Sequence, residues 1–366
     1  MLCGRPRSAV CGPPSFPTFA SMKKICLPLL VCFFLTACGN KNTAPDVSGV
    51  KVDVKVDRFD EAFFSIDTLQ MEQGLNKIQQ QFPVFLPVYL QNIIGITDPG
   101  ELKMFYQFYR PVFDSAQKLY KNFNPVKDEL EKSFKYVKYY FPEYKTPTHI
   151  IPVIGRLDSR QDLARMANGE YTPNFIGPDL AGISLQFYLG SNFSGYQTEN
   201  FVNNVAPLYR SRRFSREYIT PEVMKLITDD IFPDKSNGRP MIEQMIEKGK
   251  RWWLLDKFMP HAADSVRTGY SKKQLDWCNS NEGMIWTFIT KNEDLYAIDP
   301  ATLQTYIGEA PFTQGFDQEF SPGNIGPWIG RQIVRKFESA NSKLTVQQVM
   351  ETPAKKILEE AKYKPK

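Results

Sequence analysis

The stretch that bears most directly on the fold spans residues 320–335 and reads FSPGNIGPWIGRQIVR. Its Ser-Pro-Gly turn leads into a glycine-rich helix start, since Pro and Gly are typical turn residues. Gly326 and Gly330 are four residues apart and share one helix face, where another element can approach closely. Free amides at a helix start can also bind an anion, and Arg331 lies nearby. We favour close helix packing, and retain Gly323, Gly326 and Arg331 as a candidate cleft or anion site.

Most of the remaining chain also shows helical periodicity. Residues 125–141 carry apolar side chains at steps of three and four, with acidic side chains early and lysines late, which suits the helix dipole. Proline, glycine or capping residues bound several other predicted helices. These cover residues 67–81, 101–109, 112–123, 221–232, 241–258, 271–290, 300–308, 325–337 and 345–361.

Three short segments predict strands. Residues 50–59 alternate valine with lysine or aspartate, which is typical of a strand with one buried and one solvated face. Residues 148–154 and 183–189 are also strand-like, and Pro152 predicts that the first of them is an edge or interrupted strand. Together the patterns predict an α+β fold class that is predominantly helical with a small β-sheet.

The N-terminal segment predicts export. Two lysines precede an apolar run of about 13 residues, and Leu35-Thr36-Ala37-Cys38 has the pattern of a lipoprotein cleavage box. As a helix the run spans about 20 Å, which is too short for a permanent transmembrane anchor. The chain therefore divides into four predicted segments: a start-site artefact at 1–21, a signal peptide at 22–37, the lipidated Cys38 with its tether at 38–49, and one domain at 50–366.

Charge and cysteine content exclude several classes of protein. Four of the 45 basic residues lie in residues 1–37, so the rest of the chain carries 41 basic and 40 acidic residues. No global field therefore favours nucleic acid or an anionic surface as a partner. Cys38 and Cys278 are the cysteines beyond the signal, and acylation of Cys38 would leave Cys278 without a disulfide partner. We expect Cys278 to be a buried, inert thiol.

Few residues are suited to catalysis. The chain has two histidines, His149 and His261, and lacks the His-Glu-x-x-His, Gly-x-Ser-x-Gly and Gly-x-Gly-x-x-Gly patterns, so we predict no metal site and no cofactor. Helical carboxylates remain as weak catalytic candidates, namely Glu243 and Glu247 on one helix face, and Glu282. Charges on amphipathic helices usually form the solvated side. Enzymatic activity is therefore disfavoured but left open.

The order of short motifs resembles the gliding-motility lipoprotein GldB family of Bacteroidetes-type bacteria. Beyond the cleavage box at Cys38, the resemblance rests on 52–60 (VDVKVDRFD), 81–85 (QFPVF), 245–250 (MIEKGK), 254–256 (LLD), 269–271 (GYS), 277–278 (WC), 310–312 (APF), 321–326 (SPGNIG) and 356–358 (KIL). It implies an envelope lipoprotein with fatty acids such as palmitate on its anchor. Its implied partners are membrane lipid and envelope or motility proteins.

The arrangement is also distantly similar to gluzincin-type zinc peptidases, which implies a degenerate zincin-like core. In that comparison residues 183–189 form the sheet edge beside a cleft, residues 221–232 stand where His-Glu-x-x-His belongs, and Glu247 stands where the third ligand lies. Residues 221–226 (PEVMKL) contain no histidine, so the comparison leaves a scaffold with a cleft.

We therefore predict a non-enzymatic, lipid-anchored cell-envelope protein that supports gliding motility, secretion or other envelope machinery. Two alternatives stay open. One is a hydrolase or peptidase with a carboxylate site around Glu247, and the other is a solute- or glycan-binding lipoprotein, indicated only by the aromatic content. The anchor is compatible with the outer or the inner membrane. The tether lacks an acidic cluster after Cys38, which favours the periplasmic side.

Overall fold

The computed structural model of the protein describes residues 44–157, 173–292 and 295–365. The predicted signal peptide, Cys38 and the first residues of the tether lie outside these ranges. From Ala44 onward the chain forms one compact unit. Among the described residues, every helix is too short or too polar to span a bilayer.

Helices make up most of the described chain, and the predicted α+β fold class is confirmed. The helices are α1 Phe59–Phe64, α2 Met71–Gln81, α3 Phe85–Val88 with a π-helical turn at Tyr89–Ile93, α4 Pro99–Tyr120, α5 Asn124–Tyr140, α6 Glu199–Asn204, α7 Leu208–Ser211, α8 Ile219–Ile231, α9 Met241–Phe258, α10 Asp264–Thr268, α11 Lys272–Ser280, α12 Glu282–Asn292, α13 Pro300–Tyr306, α14 Ile325–Ala340, α15 Val346–Glu351 and α16 Ala354–Ala361. The strands are β1 Lys55–Val56, β2 His149–Val153, β3 Phe175–Ile176 and β4 Leu180–Ser184.

The four strands form one mixed sheet in the order β1-β2-β4-β3. Strand β2 is parallel to both β1 and β4, whereas β3 pairs with β4 in the antiparallel sense. The prediction that Pro152 marks an edge or interrupted strand is wrong, because β2 is an inner strand that pairs with β4 without a break from His149 to Val153. The carbonyls of Thr148, just before β2, and of Ile150 accept hydrogen bonds from the Lys55 and Asp57 amides. Alternate residues of a strand point their backbone groups to the same side, so the nitrogen of Pro152 also faces the β1 side, but beyond the end of β1. Because no strand residue lies opposite Pro152 on that side, its missing N–H leaves no sheet hydrogen bond unmade.

The other two predicted strands were too long or displaced. Only Lys55–Val56 of residues 50–59 pairs in the sheet, although Val54 is buried while Lys51, Asp53 and Lys55 are exposed, as the alternation predicts. Of residues 183–189, the first two end β4 and the next three form a 3-10 turn. Because β4 lies between β2 and β3, it is also not the sheet edge implied by the peptidase comparison.

The predicted break at Pro111 is wrong. The two helices expected at 101–109 and 112–123 form the single helix α4, with Pro111 on its exposed side. An internal proline costs about 3 kcal/mol through a lost hydrogen bond and a ring clash. Both halves of α4 bury the same apolar face, which offsets that cost. The helix start is also well capped, since the Asp98 carboxylate accepts hydrogen bonds from the Gly100 and Glu101 amides at 2.8 and 3.0 Å.

Other helix boundaries follow from local capping. The prediction of 241–258 matches α9 residue for residue. Asp67 caps a turn at the Leu69 amide, so α2 begins four residues later than predicted.

The predicted helix 271–290 divides at Asn281, whose side-chain amide donates to the Trp277 carbonyl at 2.8 Å. The predicted helix 345–361 divides before Pro353, because the residue preceding a proline is disfavoured in a helix.

Helices α9 and α14 cross at the glycine crossing, which consists of Gly249, Gly326 and Gly330. A Cβ atom on Gly330 would lie 1.8 Å from the Met245 carbonyl oxygen, and one on Gly249 would lie 2.2 Å from the Gly330 carbonyl carbon. The two backbones therefore touch, and no side chain fits between them. The glycine spacing in the sequence is explained by close helix packing.

The N-terminal half of the described chain is packed in a different way, around an aromatic cluster. Stacked, tilted or edge-on ring pairs with centroids 4.7–6.5 Å apart link α1 to α3, the π-helical turn and α4. Its members are Phe59, Phe63, Phe64, Phe82, Phe85, Tyr89, Phe105, Tyr106 and Phe113, and all are buried. The aromatic content of the sequence therefore fills the core here.

Candidate functional site

Arg331 is the most unusual of the predicted site residues, because its guanidinium is buried. Its side chain is 1% exposed and lies on α14 one residue after Gly330. Its Nε donates to the Asp256 carboxylate on α9 at 3.0 Å, and its Nη2 donates to both Asp256 and Asp264. The glycine crossing brings the two helices close enough for Arg331 to reach α9.

Two further arginines complete the arginine cluster, defined as Asp256, Asp264, Arg267, Arg331 and Arg335. Arg335 donates to Asp256 from Nη2 at 2.8 Å, and Arg267 donates to Asp264 at 2.8 Å. Burial alone would raise the pKa of the Asp264 carboxyl, but the guanidiniums of Arg331 and Arg267 outweigh it and lower that pKa to about 2. Three guanidiniums face two carboxylates, so the cluster keeps one positive charge.

A second, partly buried ion cluster lies beside the first glycine of the candidate site. Glu309 accepts hydrogen bonds from both Arg210 and Arg213. Burial would raise the pKa of the Glu309 carboxyl, and the two arginines reverse that effect and lower it. Gly323 packs on the next residue, Ala310, since a Cβ atom at position 323 would lie 2.0 Å from the Ala310 carbonyl oxygen.

Tyr270 joins these two regions. Its buried hydroxyl lies 3.1 Å from both the Gly323 and the Asn324 carbonyl oxygens, which places the 269–271 turn against the start of α14. Three of the motifs that carry the family resemblance, at 269–271, 310–312 and 321–326, therefore meet in space. Their shared task in the described structure is to fix the start of α14.

The candidate cleft residues are thus used for packing. Gly326 contacts α9 and α13, since a Cβ atom there would lie 2.9 Å from Met245 Cγ and 2.8 Å from the Tyr306 carbonyl oxygen. Gly323 is covered by Ala310, and the Arg331 guanidinium is engaged by two aspartates. The structure brings these three residues to one end of α14 and surrounds them with protein atoms.

Each of the three predicted carboxylate candidates contacts a different partner side chain. Glu247 pairs with Lys250 at 2.9 Å, and Lys250 also donates to the Met350 carbonyl at 3.0 Å. Glu243, one turn before Glu247 on α9, pairs at 3.3 Å with Arg239, which lies just before the helix. Glu282 begins α12 and accepts a hydrogen bond from the Tyr363 hydroxyl at 2.7 Å.

The two histidines also belong to separate contacts. His149 Nδ1 lies 2.5 Å from Asp57 Oδ2 at the start of β2, and His261 Nε2 lies 3.1 Å from the Tyr136 hydroxyl. Throughout residues 44–157, 173–292 and 295–365, no three His, Cys, Asp or Glu side chains group closely enough to hold a metal ion. Cys278 is buried, and burial raises the pKa of its thiol.

One open depression lies where the described chain begins. It has a volume of about 430 Å³ and is lined by Ala44, Pro45, Asp46, Val47, Ser48, Lys132, Lys135, Tyr136 and His261. Among the described lining residues, Tyr136 is the one Phe, Trp or Tyr side chain. The lining is therefore unlike the aromatic-lined groove expected for a glycan-binding lipoprotein.

Arg331 was a predicted site residue, whereas most members of the two ion clusters near the start of α14 were not predicted. Asp264, Arg267 and Glu309 lie in short helices or loops whose placement depends on contacts distant in sequence. One signal was available, because Arg331 and Arg335 are four residues apart and share a helix face. That spacing predicts a common acidic partner, which the structure identifies as Asp256.

The fold and these contacts define a mainly helical α+β protein in which the distinctive motifs build a buried, charged helix junction. Residues 40–365 match the family described as "Gliding motility protein GldB", so the chain belongs to the GldB family. No curated protein and no solved structure matches the chain. Family membership associates the protein with gliding motility and with the lipoproteins of the cell envelope.

Proposed function

We propose that this protein is a lipid-anchored, non-enzymatic component of the cell envelope that supports gliding-motility or secretion machinery. The observation that carries the proposal is the position of the family match. It begins at residue 40, two residues after the cysteine of the predicted lipoprotein box. We infer from this position that a lipid-bearing Cys38 and a short tether hold the family domain at the membrane, and we propose the periplasmic side as its location.

The contacts of the candidate residues support a scaffolding role. Glu243, Glu247 and Glu282 each have a partner of their own, and none of them faces another in a shared acid–base pair. The distinctive motifs form a closely packed junction at the start of α14. Such a junction presents a fixed surface to partner proteins.

Anchoring is tested by metabolic labelling with an alkyne analogue of palmitate. The natural protein should take up the label, and the Cys38→Ser variant should lose it. Cys32→Ser is the matched control, because this cysteine lies in the apolar run outside the cleavage box and should leave labelling intact. Equal labelling of the natural protein and Cys38→Ser would refute anchoring at this residue. Two or more acyl chains hold a protein stably on a membrane, whereas one binds marginally.

The enzymatic alternative is tested by removing charge from the carboxylates. Glu247→Gln and Glu243→Gln should leave motility unchanged if the protein is a scaffold. Glu359→Gln, on the exposed side of α16, is the control for a charge lost elsewhere. Loss of motility in Glu247→Gln, with unchanged thermal unfolding and membrane level, would favour a hydrolase or peptidase over the scaffold.

Partners are sought by cross-linking intact cells and purifying the lipid-anchored protein. Reproducible recovery of envelope-machine components is expected, and its loss in Cys38→Ser would tie assembly to the anchor. Recovery of no protein partner, together with a small molecule bound to the purified protein, would replace the scaffold by the solute-binding alternative.

A further inference from the structure

Helix α4 carries a solvent-exposed apolar stripe beside its buried face. Met104 is 53% exposed, Phe108 is 78% exposed and Leu119 is 52% exposed, and the exposed Pro111 lies between the last two. A single exposed apolar side chain is ordinary, whereas several in one contiguous row mark a surface that meets a partner or a membrane. We define Met104, Phe108, Pro111, Ser115 and Leu119 as the α4 stripe.

The stripe is continuous along the helix. At 3.6 residues per turn its five members project within about 80° of one another, and Met104 and Leu119 are about 22 Å apart along the axis. The buried face of α4, which includes Phe105, Val112 and Ala116, lies next to the stripe on one side. The stripe is therefore a straight row on a convex helix.

Basic side chains flank the stripe on its other side. Lys103, Lys118 and Lys121 are exposed and form no ion pair with any residue that the structure describes. Arg110 lies in the same arc and pairs with Asp114 at 2.9 Å, with both side chains about half exposed. A row of apolar side chains beside an arc of Lys and Arg is the pattern of a helix that lies in the interface of an anionic bilayer.

We propose that the α4 stripe docks on the surface of an anionic phospholipid membrane. The inference rests on the proposed anchoring at Cys38, which keeps the domain at a membrane. Six peptide units separate Cys38 from Ala44 and span at most about 20 Å when fully extended. The convex shape of the helix suits a soft, flat bilayer, and the lysines complement anionic headgroups.

The experiment places a fluorescent probe on the stripe without removing its apolar residues. Ser115→Cys puts a thiol in the row, and its matched control is Ser339→Cys on α14. Both serines donate to the carbonyl four residues earlier, at 2.8 and 2.9 Å. The lipidated full chain is labelled with a maleimide dye and reconstituted into vesicles of phosphatidylglycerol and phosphatidylcholine that contain a brominated-lipid quencher.

The dye at position 115 should be quenched at least about twofold more than the dye at position 339, because only the stripe enters the interface. Adding Phe108→Ser to Ser115→Cys should return quenching to the level at position 339. Vesicles of phosphatidylcholine alone, or salt at about 0.5 M, should reduce the difference because screening weakens attraction to the headgroups.

Equal quenching at the two positions would overturn the proposal, as would quenching at position 115 that survives Phe108→Ser. Protection of the dye at position 115 from the quencher could also depend on protein concentration. Such a dependence would overturn the proposal and would indicate that a second copy of the chain covers the stripe. Failure of anchoring gives a different result, since the natural chain would then react with the dye through a free Cys38. Cys278 is buried and should not react.

Discussion

The glycine crossing and the aromatic cluster hold their parts of the molecule together in opposite ways. At the crossing of α9 and α14, glycines bring two backbones into direct contact and position a buried guanidinium between two carboxylates. In the aromatic cluster, large rings fill the space between α1, the π-helical turn and α4. Where two backbones touch, no change of rotamer can relieve an added atom, whereas aromatic side chains can shift or change their tilt. We therefore expect the two regions to differ in their tolerance to substitution.

The largest effect is expected at Gly330. The Ala Cβ would overlap the Met245 carbonyl oxygen, a backbone atom that no rotamer change can move. We expect Gly330→Ala to lower the free energy of unfolding by about 4 kcal/mol, beyond the usual range for overpacking because backbone must shift. The higher helix propensity of Ala, worth about 1 kcal/mol, is too small to compensate. Urea unfolding measures the change.

Gly49→Ala is the matched control for that substitution. A Cβ atom at Gly49 would meet no heavy atom within 4 Å. Its unfolding free energy should stay within about 0.5 kcal/mol of the natural protein. Similar losses in the two variants would show that the crossing is not a tight contact.

The next largest effect is expected at Asp256 in the arginine cluster. Asp256→Asn would leave three guanidiniums facing one carboxylate, and we expect it to destabilise the protein by about 3 kcal/mol. Arg335→Gln removes a half-exposed cation from a cluster with surplus positive charge, so it should cost about 1 kcal/mol or less. Thermal unfolding of the two variants distinguishes them, and an equal loss would contradict this charge balance.

A smaller effect concerns pH and Asp264. Its folded-state pKa is lowered to about 2, so its contribution is fully present above the unfolded pKa of about 3.9 and is lost as pH falls toward 2. Because the side chain is 36% exposed, screening reduces the contribution to about 1–2 kcal/mol. In urea unfolding between about pH 5 and pH 2, Asp264→Asn should show a shallower loss of stability than the natural protein. Parallel pH profiles would contradict the assignment.

The smallest effect of a substitution in the buried core is expected in the aromatic cluster. Phe63 is fully buried and contacts the rings of Phe64 and Tyr89 at centroid distances of 5.4 and 4.9 Å. We expect Phe63→Leu to cost about 1–1.5 kcal/mol, because neighbouring rings can close over part of the lost volume. Urea unfolding compares this loss with that of Gly330→Ala. A larger loss at Phe63 would reverse the contrast between the two regions.

Parts of the fold and of the candidate site follow from local sequence. The bounds of α9, the helix at α5 and the close approach at Gly326 and Gly330 were predicted, because periodicity, capping and missing side chains act over a few residues. The partners of Arg331 were not predicted. Asp256 is 75 residues away in the chain, and no local pattern links the two positions.

By itself the sequence determined the types of most elements, the predicted lipoprotein box before the domain and the order of motifs that resembles the GldB family. Only the tertiary structure decided which helix fills the space beside Gly330, why α4 continues through Pro111 and why Pro152 lies in an inner strand. The physical reason is the range of the interactions. Helix periods and caps depend on neighbours in sequence, whereas packing compensation and buried ion pairs depend on residues that only folding brings together.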